Sequence, residues 1–175
     1  AVIMSLRLPR SIAAILIGAA LSLSGSCYQS IFKNPMVSPD LLGVSSGACV
    51  GAAIAILTGG GSFRIQLFAF ILGIGTVFLT TLIPRLIRNQ STVILVLSGV
   101  IVSSLMSSIM SIIKSIADTD TQLAEITYWM MGSLASIKLI DIRNVLPTLI
   151  IPAAVILAMR FRLNVMSLGD NEAKM

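Results

Sequence analysis

Residues 89–113 read NQSTVILVLSGVIVSSLMSSIMSII, a stretch without one charged side chain. At about 1.5 Å of rise per residue, a helix of this length crosses the roughly 30 Å hydrocarbon core of a bilayer. Lipid offers no water to backbone N–H and C=O groups, so a spanning segment must satisfy them internally, as a helix does. Working outward, charges leave further uncharged runs at residues 11–32, 41–63, 65–84 and 144–159. The first three have span length. The last reaches it when Asp141 and Arg143 sit at the interface. The expectation is five spans, at about 11–32, 41–58, 65–84, 92–113 and 141–159, within one membrane segment covering residues 1–175.

Composition sets the same class. Of 175 residues, 56% are hydrophobic and only 11% charged, and the mean hydropathy is +1.00. A soluble domain carries about a quarter charged residues. The fold class is therefore all-α, a polytopic transmembrane helix bundle. The N-terminus does not read as a signal peptide, because its apolar stretch is too long and more spans follow. The chain opens Ala1-Val2-Ile3-Met4 and stops in a charged segment, so truncation is an open expectation at either end.

Several chemistries are disfavoured. There is no histidine, and Cys27 and Cys49 lie in apolar runs, as small packing residues do. No metal site and no cofactor are expected. The net charge of +5 is spread over loops without interleaved aromatics, against nucleic-acid binding. There is no P-loop, nucleophile–base pair or paired carboxylate within a span, so no catalytic residues are assigned and the chain is not read as an enzyme.

Turn chemistry separates the spans. Asn34-Pro35 and Pro39-Asp40 break the chain after the first, with Asp40 a candidate N-cap for the second. Gly59-Gly60-Gly61-Ser62 forms a loop, and Pro84 to Gln90 ends the third span. In the insert from Lys114 to Arg143, Asp120 is expected to cap an interfacial helix over about 120–131, with Tyr128 and Trp129 at headgroup level. Lysines and arginines divide evenly between the two sets of loops, so the positive-inside rule gives no orientation.

Three patterns stand out. Gly43, Gly47 and Gly51 recur every four residues, which lets a neighbouring backbone approach closely. Ser104, Ser107, Ser108, Ser111 and Ser115 lay hydroxyls along one face of the fourth span. Such serines either bond back to their own helix and aid packing, or line a water-accessible path for a polar solute. Arg7 and Arg10 flank Pro9 at the start of the first span, where each cation costs about 0.3–1 kcal/mol against the helix dipole. Lipid-phosphate anchoring and a docking site for a partner's carboxylate both explain them.

Longer motifs carry a resemblance. Leu6-Arg7-Leu8-Pro9-Arg10, Gly18-Ala19-Ala20-Leu21, Asn34-Pro35 and Pro39-Asp40-Leu41-Leu42-Gly43-Val44-Ser45-Ser46-Gly47 come in order. Leu97-Ser98-Gly99-Val100, Tyr128-Trp129-Met130-Met131-Gly132-Ser133 and Asn164 through Leu168-Gly169-Asp170-Asn171-Glu172-Ala173 follow. Nearly the whole chain resembles the FecCD-type permeases, the transmembrane subunits of ABC importers for ferric siderophores, haem and cobalamin. The resemblance implies part of a ten-span permease fold about twice as long, corresponding here to spans two through six. It implies a bacterial or archaeal cytoplasmic membrane, an ABC ATPase subunit, an extracytoplasmic substrate-binding protein and a second permease copy or paired permease as partners, besides the lipid bilayer.

The resemblance also implies an orientation, with Lys33, Arg85 and Arg88 cytoplasmic and Arg7 and Arg10 external. It implies that Arg7 and Arg10 receive carboxylates of the binding protein, and that Ser104, Ser107, Ser108 and Ser111 line the translocation path. It further implies that Asp170 and Glu172 mark the start of the ATPase-coupling surface. The function implied is ATP-driven translocation of an iron-siderophore-type chelate, or of haem or cobalamin. The competing classes are an ion-gradient-driven secondary transporter and a truncated, non-transporting scaffold. The former usually carries ionisable residues inside its spans, which the four clear spans here lack.

Overall fold

The computed structural model describes residues 7–34, 37–88, 91–135 and 137–161. Asp170 and Glu172, together with the 164–173 motif and Pro35, lie outside them. Among the described residues every regular element is helical: α1 (Leu8–Phe32), α2 (Val44–Leu57), α3 (Ser62–Leu86), α4 (Thr92–Ile116), α5 (Gln122–Met131) and α6 (Leu139–Ala158), with a 3-10 turn at Pro39–Leu42 before α2. Four helices, α1, α3, α4 and α6, are long and apolar enough to cross a membrane. The chain is a multi-pass membrane protein. It divides into two compact units, Pro39–Gly132 and the flanking segments Ala1–Ser38 with Ser133–Met175.

In the flanking unit, α1 begins at a Pro in its first turn, where the missing N–H costs nothing. It packs against α6. The N-terminus of α6 is closed by Asp141, whose carboxylate accepts from the Lys138 N–H at 3.0 Å. Pro147 and Pro152 lie inside that helix.

The Pro39–Gly132 unit is built on α2, α3 and α4. Its core combines Val50, Ala53 and Ile56 of α2 with Val102, Met106, Met110 and Ile113 of α4. The second helix starts at Val44, later than the residue 41 expected, and has 14 residues, so it is roughly 21 Å long. Asp40 is not its N-cap. Gly43, at φ 74°, occupies that position, and Asp40 sits inside the 3-10 turn, where its carbonyl accepts from the Gly43 N–H at 2.9 Å. Pro39 sets the tight turn, and glycine alone takes the left-handed conformation without strain.

Two other ends differ from expectation. The third helix continues through Pro84, which is buried, to Leu86. A proline so near a C-terminus forfeits only one helical bond. At α5, Asp118 rather than Asp120 organises the start, accepting from the Thr121 N–H at 3.2 Å and its hydroxyl at 2.6 Å. Ile126, 1% exposed, pins α5 to the core. The Gln122 side chain donates to the Leu57 carbonyl at 3.3 Å.

Candidate functional site

The glycine pattern on α2 faces α3. A Cβ added at Gly47 would meet Thr76 Cβ at 2.7 Å and the Leu72 carbonyl oxygen at 2.8 Å. One added at Gly51 would strike the Phe68 carbonyl. Gly43 lies against Thr76 and Ser103. The absent side chains let two backbones come into contact where lipid gives no hydrophobic drive to pack.

That close packing seats the 3-10 turn. The Thr80 hydroxyl, fully buried, donates to the Leu42 carbonyl at 3.0 Å. Gly99 of α4 lies directly under the Leu41 carbonyl, where any Cβ would collide. The turn is thus held by α3 on one side and α4 on the other. Beside it opens a groove of about 390 Å³, lined by Asp40, Leu41, Gly99, Val100, Ser103, Ser104 and Ser107.

The fourth helix divides by face. Val102, Met106, Met110 and Ile113 are buried, whereas Ser104, Ser107, Ser108, Ser111 and Ser115 are all exposed. Each exposed hydroxyl donates to a carbonyl one turn back: Ser104 to Val100, Ser107 to Ser103, Ser108 to Ser104, Ser111 to Ser107 and Ser115 to Ile112, at 2.8–3.1 Å. Back-bonding and outward exposure coexist, so the alternatives of packing and lining do not exclude each other at the level of the hydroxyl proton. Ser104 and Ser107 reach the groove; Ser108 and Ser111 are not among its lining residues.

Asp40, Gly99 and Ser103 belong to the groove yet escape a reading of the serine stripe alone. For Gly99 and Ser103 the signal is the four-residue recurrence Gly99, Ser103, Ser107, which places a bare backbone and two hydroxyls on one helical face. Arg7 and Arg10 are exposed at the start of α1. The Arg10 guanidinium donates to the Ala135 carbonyl in the segment before α6. Among the described residues no cluster of His, Cys, Asp or Glu suits a metal ion.

A family profile described as the FecCD transport family matches residues 1–175. The chain belongs to the FecCD transport family. Relatives in this FecCD family include the molybdate import permease MolB of Haemophilus influenzae, 35% identical over 99% of this chain and 51% of its own length. The cobalamin import permease BtuC of Halobacterium salinarum is 34% identical over 97% of this chain and 46% of its own. A permease assigned to an iron chelatin system in Helicobacter pylori is 36% identical over 98% of this chain and 52% of its own. An inward-facing structure of an ABC transporter assigned to the metal-chelate type superposes with a TM-score of 0.87 at 35% identity, over 99% of this chain and 55% of that one. This FecCD chain spans about half the length of the curated relatives it matches.

Proposed function

We propose that these residues form part of the substrate path of an ABC importer permease, and that the solute is a metal chelate of the iron-siderophore type. The observation that carries the reading is the outward-facing hydroxyl stripe of α4, continuous with the groove beside the 3-10 turn. Hydroxyls and their lone pairs offer shallow, exchangeable hydrogen bonds to a polar solute, whereas tight binding would stall its release. The relatives named above are permeases for molybdate, for cobalamin and for an iron chelatin. A lining of serines is suited to the larger, hydrogen-bonding members of that set.

In this reading ATP is hydrolysed on a separate ATPase subunit, an extracytoplasmic binding protein delivers the solute, and a second permease copy or paired permease completes the channel. Arg7 and Arg10 dock carboxylates of the binding protein. Asp170 and Glu172 contribute to the ATPase contact, an assignment that rests on the resemblance of residues 164–173. The path is tested by introducing Ser107→Leu and Ser111→Leu separately into the full-length permease and following radiolabelled ferric siderophore uptake in cells. Each substitution is expected to lower initial uptake several-fold, with unchanged membrane abundance. Wild-type uptake in both variants would remove α4 from the path.

A further inference from the structure

The side chains lining the groove are weighted toward acceptors. A serine hydroxyl has one proton and two lone pairs. Ser104 spends its proton on the Val100 carbonyl at 2.8 Å and Ser107 on the Ser103 carbonyl at 2.9 Å, so both turn only lone pairs outward. The carboxylate of Asp40 is held by the Ser45 hydroxyl, and an ionised carboxylate accepts hydrogen bonds without donating any. Leu41, Gly99 and Val100 add no polar side chain, and no lysine, arginine or amide side chain lines the space. Ser103, half-buried against Gly43, is the remaining hydroxyl. Sites that hold oxyanions are built the opposite way, from N–H donors and fixed cations.

We infer that Asp40 and the back-bonded serines Ser104 and Ser107 make this groove charge-selective: it favours solutes presenting cationic or hydrogen-bond-donating groups and disfavours free oxyanions. The inference rests on the groove being part of the water-filled path, and it adds a selecting residue to that path. Asp40 is the one charged residue among those lining the groove, and the Ser45 hydroxyl in the first turn of α2 fixes its carboxylate there. Among the cargoes of relatives, a bare oxyanion such as molybdate meets acceptors and a like charge here. A chelate whose surface carries ammonium, hydroxyl or amide N–H groups meets complementary ones.

The test needs no knowledge of the natural cargo. In the full-length permease with its native cysteines replaced, Ser104→Cys or Ser107→Cys is introduced and the protein reconstituted in nanodiscs. The rates of thiol modification by a trimethylammonium-bearing and a sulfonate-bearing methanethiosulfonate are measured, each divided by its rate with a small thiol in solution. The normalised cation-to-anion ratio is expected above unity at both positions. Asp40→Asn, which retains an acceptor for Ser45, is expected to lower it by roughly three- to tenfold, and high salt to lower it as well. Failure of both reagents at both positions would mean that no water reaches the groove, and the path reading falls together with the inference. Reaction with both reagents at a ratio that Asp40→Asn leaves unaltered keeps the path and overturns the selectivity.

Discussion

The most discriminating perturbation is a single methyl group placed on either side of the α2–α3 interface. At Gly47 the new Cβ would overlap the Thr76 hydroxyl and come within 2.7 Å of Thr76 Cβ and 2.8 Å of the Leu72 carbonyl oxygen. At Gly73 it would meet Ala48 Cβ and the Val44 carbonyl oxygen at 3.7 Å, ordinary van der Waals separation. Replacing a helical glycine by alanine contributes up to about 1 kcal/mol of helix propensity, in full at Gly73 in the middle of α3 and less at Gly47 near the start of α2. Gly47→Ala must then offset overpacking of about 3 kcal/mol, because a backbone carbonyl cannot rotate away as a flexible side chain can. The net expectation is a loss of about 2 kcal/mol for Gly47→Ala and a gain of up to about 1 kcal/mol for Gly73→Ala. The assay is reversible unfolding of the full-length permease in mixed micelles by graded SDS, read by hydrogen exchange of the α2 amides. Equal destabilisation by both substitutions, or none by Gly47→Ala, would refute the argument that α2 and α3 meet backbone to backbone at Gly47.

Two further expectations concern named contacts. Thr80→Val keeps shape but removes the buried donor to the Leu42 carbonyl. It should cost about 1–3 kcal/mol in the same unfolding assay, and should raise hydrogen exchange at residues 40–43 before the rest of the unit; protection unchanged there would show that the turn is held by other means. Arg7→Glu and Arg10→Glu should each weaken association with the binding protein and flatten its salt dependence, measured by surface plasmon resonance over a salt series. Arg10→Glu alone should also loosen the segment around Ala135, since that carbonyl loses its guanidinium donor. Unaltered affinity in both variants would return the arginines to lipid anchoring.

The long apolar helices were legible because charge alone delimits them. Residues 92–113 could hardly be anything but a span, and α4 runs from Thr92 to Ile116. On α2, Gly47 and Gly51 lie where an added Cβ would meet α3, and small residues at four-residue spacing permit such an approach. The ends were less legible, because caps depend on local competition. Asp40 looked like an N-cap, but Pro39 and the left-handed Gly43 wind the chain into a 3-10 turn first. Asp118 and Asp120 flank one residue and are equivalent as sequence; geometry selects Asp118. The groove was legible in half. Its serines follow helical periodicity, whereas Asp40 and Leu41 join it through a contact some sixty residues distant along the chain, which no local pattern encodes.

The 3-10 turn has a mechanical consequence. Pro39–Leu42 is bonded through Leu42 to Thr80 and seated through Leu41 on Gly99, so it acts as a keystone between two long helices that would otherwise slide on apolar side chains. Sliding α3 along α4 requires breaking a dry hydrogen bond and lifting a carbonyl off a glycine in the same step. That pairing removes the soft shear coordinate from the interior of Pro39–Gly132. Within Pro39–Gly132, α2, α3 and α4 are thereby tied into one block, and any relative motion of α3 and α4 has to begin by unseating the turn.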